Sequence, residues 1–329
     1  MGTRKYLLGK ILQALLTLVF VLVFNFFLFR VIPGDPAALL LRGSAAFNPQ
    51  NLEQATHDLG LDQPLPTQFV VYVKDTLTLN FGQSFYLRGQ PVSRVIGDKI
   101  WPTVLLVGTS TIASTIIGLI IGIYGGWKHG STFDVTSLGF TLFAYAMPEF
   151  WFGIIVLMMF AGGVGIFPSL FPTGGYETPA AGLTGFSHAV DVLNHMALPF
   201  FVLTVAYLGE YAIIMRNSLI DILGDDFIVT ARAKGLREKE ILWRHSVPNA
   251  LLPTMTVTLL SLGFVFSGAI TIEYVFSWPG LGWLTVQAID NKDFPLLQGL
   301  FLLFSAAVII ANLVADVLYS YLDPRVRAA

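Results

Sequence analysis

The chain has 329 residues, of which 54% are hydrophobic and 12% are charged, about half of the ~25% charged share of soluble domains. The 19 basic and 21 acidic residues give a net charge of −2, and the mean hydropathy is +0.69. This composition excludes an ordinary soluble enzyme, a disordered chain and a nucleic-acid-binding protein. The absence of cysteine excludes disulfides and thiolate metal sites.

Six apolar stretches are long enough to cross a membrane as helices, which takes about 20 residues each. They are residues 6–29, 103–124, 135–161, 197–215, 251–273 and 295–319. The first is expected to remain as an uncleaved anchor, because its apolar run exceeds the core of a signal peptide and no small-x-small cleavage site follows. The sequence therefore predicts an all-α integral membrane protein with six transmembrane helices.

Two of these spans carry local features. In the second, Pro102 is expected in the first helical turn, and small residues recur at every fourth position, namely Ser114, Gly118, Gly122 and Gly126. Such a stripe lies on one helix face and lets another helix approach closely in lipid. In the third span, Pro148 is expected to kink the helix because proline removes a backbone hydrogen bond.

Basic residues favour one side of the predicted membrane. Residues 216–250 contain six of them, namely Arg216, Arg232, Lys234, Arg237, Lys239 and Arg244. The segment 162–195 has none, and the loop between spans five and six has only Lys292. The positive-inside rule therefore predicts that both termini and the basic segment are cytoplasmic.

Two short helices are predicted inside that basic segment. Asp225 and Asp226 are candidate N-caps for a helix that runs to Lys234 and stops at Gly235, and a second helix over 238–245 is expected to end before Pro248. A helix of two turns is unstable alone in water, so the first is expected to dock on a partner or on lipid headgroups.

The predicted outer loop, residues 31–102, is long. Its proline turns, its amphipathic stretch at 52–59 and its aromatic run at 69–85 predict a small folded cap. The pattern by itself assigns this cap no function.

The sequence lacks the motifs of common enzymes. It contains no phosphate-binding loop, no nucleophile elbow and no metalloprotease motif, and its five histidines share no metal-ligand spacing. No catalytic or metal site is predicted. Acidic residues inside spans by default mark a pathway or a partner, and Glu149 and Glu210 are the pathway candidates. The alternatives are that Glu210 pairs with an arginine or a hydroxyl and that Asp316 forms a cap or a pair near the inner boundary.

Segments distributed along nearly the whole chain resemble one family. They are residues 32–37 (IPGDPA), 59–64 (LGLDQP), 230–236 (TARAKGL) with 244–253 (RHSVPNALLP), 276–282 (FSWPGLG) and 323–326 (DPRV). Occurring in this order, they resemble the permeases of ABC importers, and more narrowly the dipeptide, oligopeptide and nickel branch. The long outer loop resembles that of the first of the two permease subunits.

The resemblance implies that the short basic helix is a coupling helix seated on a separate ATP-binding subunit. The residues it assigns to coupling are Asp226, Phe227, Thr230, Ala231, Arg232, Ala233, Lys234 and Gly235. Two departures are Val229-Thr230-Ala231, where the looser motif has Glu-Ala-Ala, and Glu210, where a small or apolar residue is typical. The implied partners are a second permease subunit, two ATP-binding subunits or domains that hold ATP and magnesium, and an extracytoplasmic substrate-binding protein.

These observations predict the pore-forming, non-enzymatic half of an ATP-driven peptide importer in a bacterial plasma membrane, surrounded by lipid. The expected organisation is an anchor helix at 1–30, an outer cap at 31–102, a permease core at 103–320 with a coupling loop at 216–250, and a cytoplasmic tail at 321–329. Nickel or metal chelates and oligosaccharides are alternative substrates. A secondary transporter is the rival class, although its paired repeats of intramembrane charge are not evident here.

Overall fold

The computed structural model describes residues 3–31, 62–87, 89–163 and 168–322. The predicted amphipathic stretch at 52–59 and most of the predicted tail lie outside these residues. In chain order the described helices are α1 (Thr3–Val31), α2 (Leu65–Leu77), α3 (Val92–Trp127), α4 (Thr132–Ala146), α5 (Glu149–Phe160), α6 (Gly185–Leu223), α7 (Asp226–Ala233), α8 (Glu238–Phe264), α9 (Ile270–Val275), α10 (Leu281–Asp290) and α11 (Phe294–Leu322).

The long helices confirm the all-α membrane prediction. Within the described ranges, five helices are long and apolar enough to cross a membrane, namely α1, α3, α6, α8 and α11. The consecutive helices α4 and α5 pass the same test together, so the number is six if this bent pair forms one span.

Helix α3 begins at Val92, ten residues before Pro102, which was expected in its first turn. The predicted start of the second span is therefore wrong. The extra turns are amphipathic, and they bury Val92, Val95 and Ile96 against α10 and α11. Pro102 therefore lies inside a helix, where its missing N–H and its ring disturb the regular hydrogen bonds. A π-helical turn over Val104–Gly108 follows directly, and such turns accommodate interrupted helical hydrogen bonding.

The third span is broken rather than kinked. Met147 adopts an extended conformation with φ −78° and ψ 128°, because a residue before proline is disfavoured in the helical region. As a result, α4 and α5 meet at an angle of 99°.

The fourth and fifth spans also differ from their predicted boundaries. Helix α6 has 39 residues and extends beyond both ends of its apolar stretch. The predicted helix at 238–245 forms the beginning of α8 and does not end before Pro248. Pro248 lies in the first turn after a π-helical segment, Ile241–Ser246, where proline is tolerated. Helix α8 then ends at Phe264, and the chain turns at Gly268 with φ +71°, so Glu273 belongs to the separate helix α9.

The small-residue stripe packs α3 directly against α6, as predicted. A β-carbon on Gly122 would lie 2.6 Å from the carbonyl oxygen of Ala212, and one on Gly118 would lie 2.8 Å from that of Leu208. Both distances are too short for any real β-carbon. These helices therefore touch backbone to backbone, which is the arrangement small residues permit in lipid.

Helix α2, which belongs to the described part of the outer loop, packs on one end of α1. The ring of Phe26 lies 5.2 Å from that of Phe69 and 5.5 Å from that of Tyr72. The following segment is attached to the start of α11, where the carboxylate of buried Asp293 accepts hydrogen bonds from the Ser84 hydroxyl and the Tyr86 amide. The described part of the predicted cap is thus fixed to the bundle.

Candidate functional site

The predicted coupling helix is present as α7 and has one buried face. Ile228 is fully buried and Ala231 is nearly so, and both pack with Ile241 at the start of α8. The expected docking is thus satisfied on this face by the chain itself. Asp225 has the extended backbone of an N-cap, but its carboxylate forms no capping hydrogen bond.

The other face of α7 is open. Its exposed residues include seven of the eight predicted coupling residues, namely Asp226, Phe227, Thr230, Arg232, Ala233, Lys234 and Gly235. Phe227 is 42% exposed and Val229 is 59% exposed, so this face combines apolar and basic groups. Arg232 is held beside Glu238 at 3.2 Å. Besides its basic residues, this face carries the exposed acid Asp226.

Gly235 ends α7 as predicted. Its φ of +78° lies in the left-handed region, its amide donates to the Arg232 carbonyl at 2.9 Å, and the Leu236 amide donates to the Ala231 carbonyl at 3.3 Å. This pair of bonds is the Schellman motif, which satisfies the last carbonyls of a helix and reverses the chain direction. Gly235 therefore sets the angle at which the chain leaves α7.

An ion pair fastens the last part of α6 to the beginning of α4. The Arg216 guanidinium donates to both carboxylate oxygens of Asp134, at 2.5 and 2.8 Å, and Asp134 also accepts from the Gly130 amide. His129 lies 3.1 Å from the same carboxylate. Asp134 is buried, so this bidentate pair couples α4 rigidly to α6 ten residues before α7 begins.

The three acidic residues noted within the spans have different environments. The carboxylate of Glu149 accepts a hydrogen bond from the Thr271 hydroxyl at 2.6 Å. Asp316 lies 3.1 Å from the Lys10 ammonium, which agrees with the expected pairing. Glu210 lines a cavity of about 230 Å³ between α3, α6 and α8, and Glu149 is not among the residues lining it.

Glu273 is a buried acid that the sequence reasoning missed. Its carboxylate accepts hydrogen bonds from the Thr103 hydroxyl at 2.8 Å and from the Gly282 and Trp283 amides at 2.7 and 3.1 Å. Burial raises the pKa of Glu273 above its ordinary value, and these hydrogen bonds oppose that rise. The carboxylate thereby fixes the loop containing FSWPGLG against α3.

Two family models of membrane transport proteins match this chain. Residues 114–328 match the family model of the binding-protein-dependent transport system inner membrane component, and residues 3–106 match the model of its N-terminal part. The chain is 32% identical over 323 residues to the oligopeptide transport system permease protein AppB of Bacillus subtilis, covering 98% of this chain and 99% of AppB.

Two further relatives match over nearly their whole length. The dipeptide transport system permease protein DppB of Escherichia coli strain K12 is 32% identical over 340 residues, with 98% of each chain covered. The glutathione transport system permease protein GsiC of Salmonella choleraesuis is 35% identical over 329 residues, with 98% of each chain covered. The chain therefore belongs to the family of binding-protein-dependent transport system inner membrane components, the permease subunits of ABC transporters.

Proposed function

We propose that this chain is one of the two permease subunits of an ATP-driven importer of peptides. The observation that carries the proposal is the open face of α7, an apolar and basic surface on a short helix with a fixed end. Relatives named for oligopeptide, dipeptide and glutathione transport support peptides as the substrate class, rather than nickel chelates or oligosaccharides. A bacterial inner membrane is the proposed location.

In this proposal the energy comes from another chain. ATP and magnesium are held by two ATP-binding subunits or domains, and their closure pushes α7. Two residues separate α7 from α6, which packs backbone to backbone on α3 and is ion-paired to α4. A push on α7 is therefore transmitted to α3, α4 and α6 as a nearly rigid unit, and the bundle tilts to alternate access.

Charge distribution supports the orientation in the membrane. Under the positive-inside rule, the six basic residues at 216–250 support a cytoplasmic position for α7, both termini and the Arg216–Asp134 pair. The outer loop, with α2, then faces the substrate-binding protein, which delivers the peptide. A similar second permease completes the pore.

Cysteine cross-linking tests the contact with the ATPase. Because the natural chain has no cysteine, Thr230→Cys introduces a single thiol on the open face of α7. Thr136→Cys is the matched control, since both threonines are exposed and both hydroxyls donate to the carbonyl four residues earlier. We expect a maleimide–benzophenone cross-linker, which needs a thiol on this chain only and inserts into C–H bonds of its neighbour on irradiation, to join this chain to an ATP-binding subunit from position 230 only.

The cross-linking is done on the complex purified from membranes. Co-purification of ATPase subunits together with a cross-link from position 230 supports the proposal. Purification of this chain without any ATPase, or equal cross-linking from both positions, contradicts the assignment of α7 as the coupling helix.

A further inference from the structure

The cavity beside Glu210 is lined by polar groups from three helices. Thr111 lies on α3, Glu210 and two tyrosines lie on α6, and Ser261 lies on α8. Phe264 contributes an apolar wall, and the cavity is partly open to the surroundings. Val107 of the π-helical turn in α3 also lines it, and turns of this kind are frequent at functional sites.

Among the described residues that line this cavity, Glu210 is the only acidic one. Its side chain is partly exposed, and within the described residues its carboxylate takes part in no hydrogen bond or ion pair. By contrast, Glu149 accepts a hydrogen bond from Thr271, and Asp316 is paired with Lys10. A carboxylate inside a span is costly and by default marks a pathway or a partner, so an acid facing a cavity with no such bond is poised for a cationic ligand.

The surrounding groups favour an ammonium ion over a metal. Calcium takes six to eight oxygen ligands, and magnesium demands an octahedral set. The lining supplies one carboxylate and four hydroxyls, two of them phenolic, and hydroxyls are not the carboxylate and carbonyl oxygens that these cations prefer. An ammonium group has three N–H donors and no acceptor, so it can donate one bond to Glu210 and others to the hydroxyl oxygens of Ser261 and Thr111.

We propose that this cavity receives the N-terminal ammonium group of the transported peptide, with Glu210 as its counter-ion. This inference rests on the proposed function. The volume of about 230 Å³ is below the ~300–1,000 Å³ of pockets that enclose drug-sized ligands, so the cavity accommodates one end of a peptide and not its whole length. Peptides of different length and sequence share this terminal group.

Equilibrium binding to the purified complex, without the binding protein, tests the proposal. The probes are a tripeptide with a fluorophore on its last side chain and the N-acetylated form of the same peptide, both measured without nucleotide and with a non-hydrolysable ATP analogue. In whichever of these two nucleotide conditions gives the tighter binding, the wild-type complex is expected to bind the free-amino peptide at least tenfold more tightly than the N-acetylated one. Glu210→Gln is expected to abolish this preference, and Glu210→Asp to retain it.

Asp221→Asn is the matched control, because Asp221 is an exposed acid near the end of the same helix and does not line the cavity. It is expected to retain the wild-type preference. The proposal is overturned if the wild-type complex binds neither peptide, if it binds both equally, or if Glu210→Gln keeps the preference. Peptide uptake, measured separately, decides the proposed function, so a failure of this inference is distinguishable from a failure of that function.

Discussion

A Gly235→Pro variant is expected to lose ATP-dependent uptake while the chain remains inserted in the membrane. Proline fixes φ near −65°, whereas Gly235 has φ +78°, and proline also lacks the N–H that bonds to the Arg232 carbonyl. It further disfavours the helical conformation of Lys234 before it. The exit from α7 therefore changes direction, and the open face no longer meets its partner at the same angle.

Gly235→Ala is the graded control for this change. No atom lies within 4 Å of a β-carbon at this position, so alanine bears only the backbone cost of the left-handed conformation, about 1–2 kcal/mol. We expect it to retain most of the uptake. The measurements are uptake into proteoliposomes, ATP hydrolysis by the same complex, and membrane extraction of the chain. Normal uptake by Gly235→Pro contradicts the role given to this turn.

A Gly122→Leu variant is expected to prevent stable assembly of the bundle. Even the first side-chain atom would lie 2.6 Å from the Ala212 carbonyl and 2.7 Å from the Met215 β-carbon. The α3 and α6 backbones must separate to admit it. Overpacking a core typically lowers the free energy of unfolding by about 1–3 kcal/mol. Because rigid backbone opposes the added side chain here, we expect this destabilisation to reach or exceed the upper limit.

Gly139→Leu is the matched control. Gly139 lies inside α4, is exposed, and has no atom within 4 Å of a β-carbon. Replacing glycine by a good helix former favours the helix by up to ~1 kcal/mol. The yield of monodisperse protein and the midpoint of thermal unfolding are compared for both variants. Equal losses in the two variants would mean that the small-residue stripe has no special role in packing.

The sequence was most informative where a local pattern determines a local structure. Apolar runs located the spans, the four-residue stripe identified the face of α3 that meets α6, and Gly235 marked the end of α7. In each case the signal is short in range, because hydrophobicity, side-chain volume and permitted φ belong to single residues or to one helix face.

Span boundaries were less predictable, because a helix can continue past its uncharged stretch as amphipathic turns that carry charged residues. The first turns of α3 carry charges on one face and bury Val92 and Ile96 on the other. Pro102 and Pro148 illustrate a related limit. The first is accommodated within α3 beside a π-helical turn, whereas the second separates two helices at 99°, and the surrounding packing decides between these outcomes.

Long-range polar partners were not predictable from one sequence. Asp134 and Arg216 are 82 residues apart, and Glu273 accepts a hydrogen bond from Thr103, 170 residues earlier. No periodicity joins such residues, since the contacts arise only when the helices pack. The sequence offered only two signals of these contacts. They are an acid shortly before FSWPGLG and an arginine at the end of the fourth span.

Uptake of a labelled peptide tests the central claim most directly. The complete complex, with its ATPase subunits and binding protein, is reconstituted in proteoliposomes and supplied with ATP or with a non-hydrolysable analogue. We expect the labelled peptide to accumulate with ATP and not with the analogue. ATP-dependent uptake of nickel chelates or sugars with no peptide uptake would contradict the substrate class, and peptide uptake independent of ATP would contradict the importer itself.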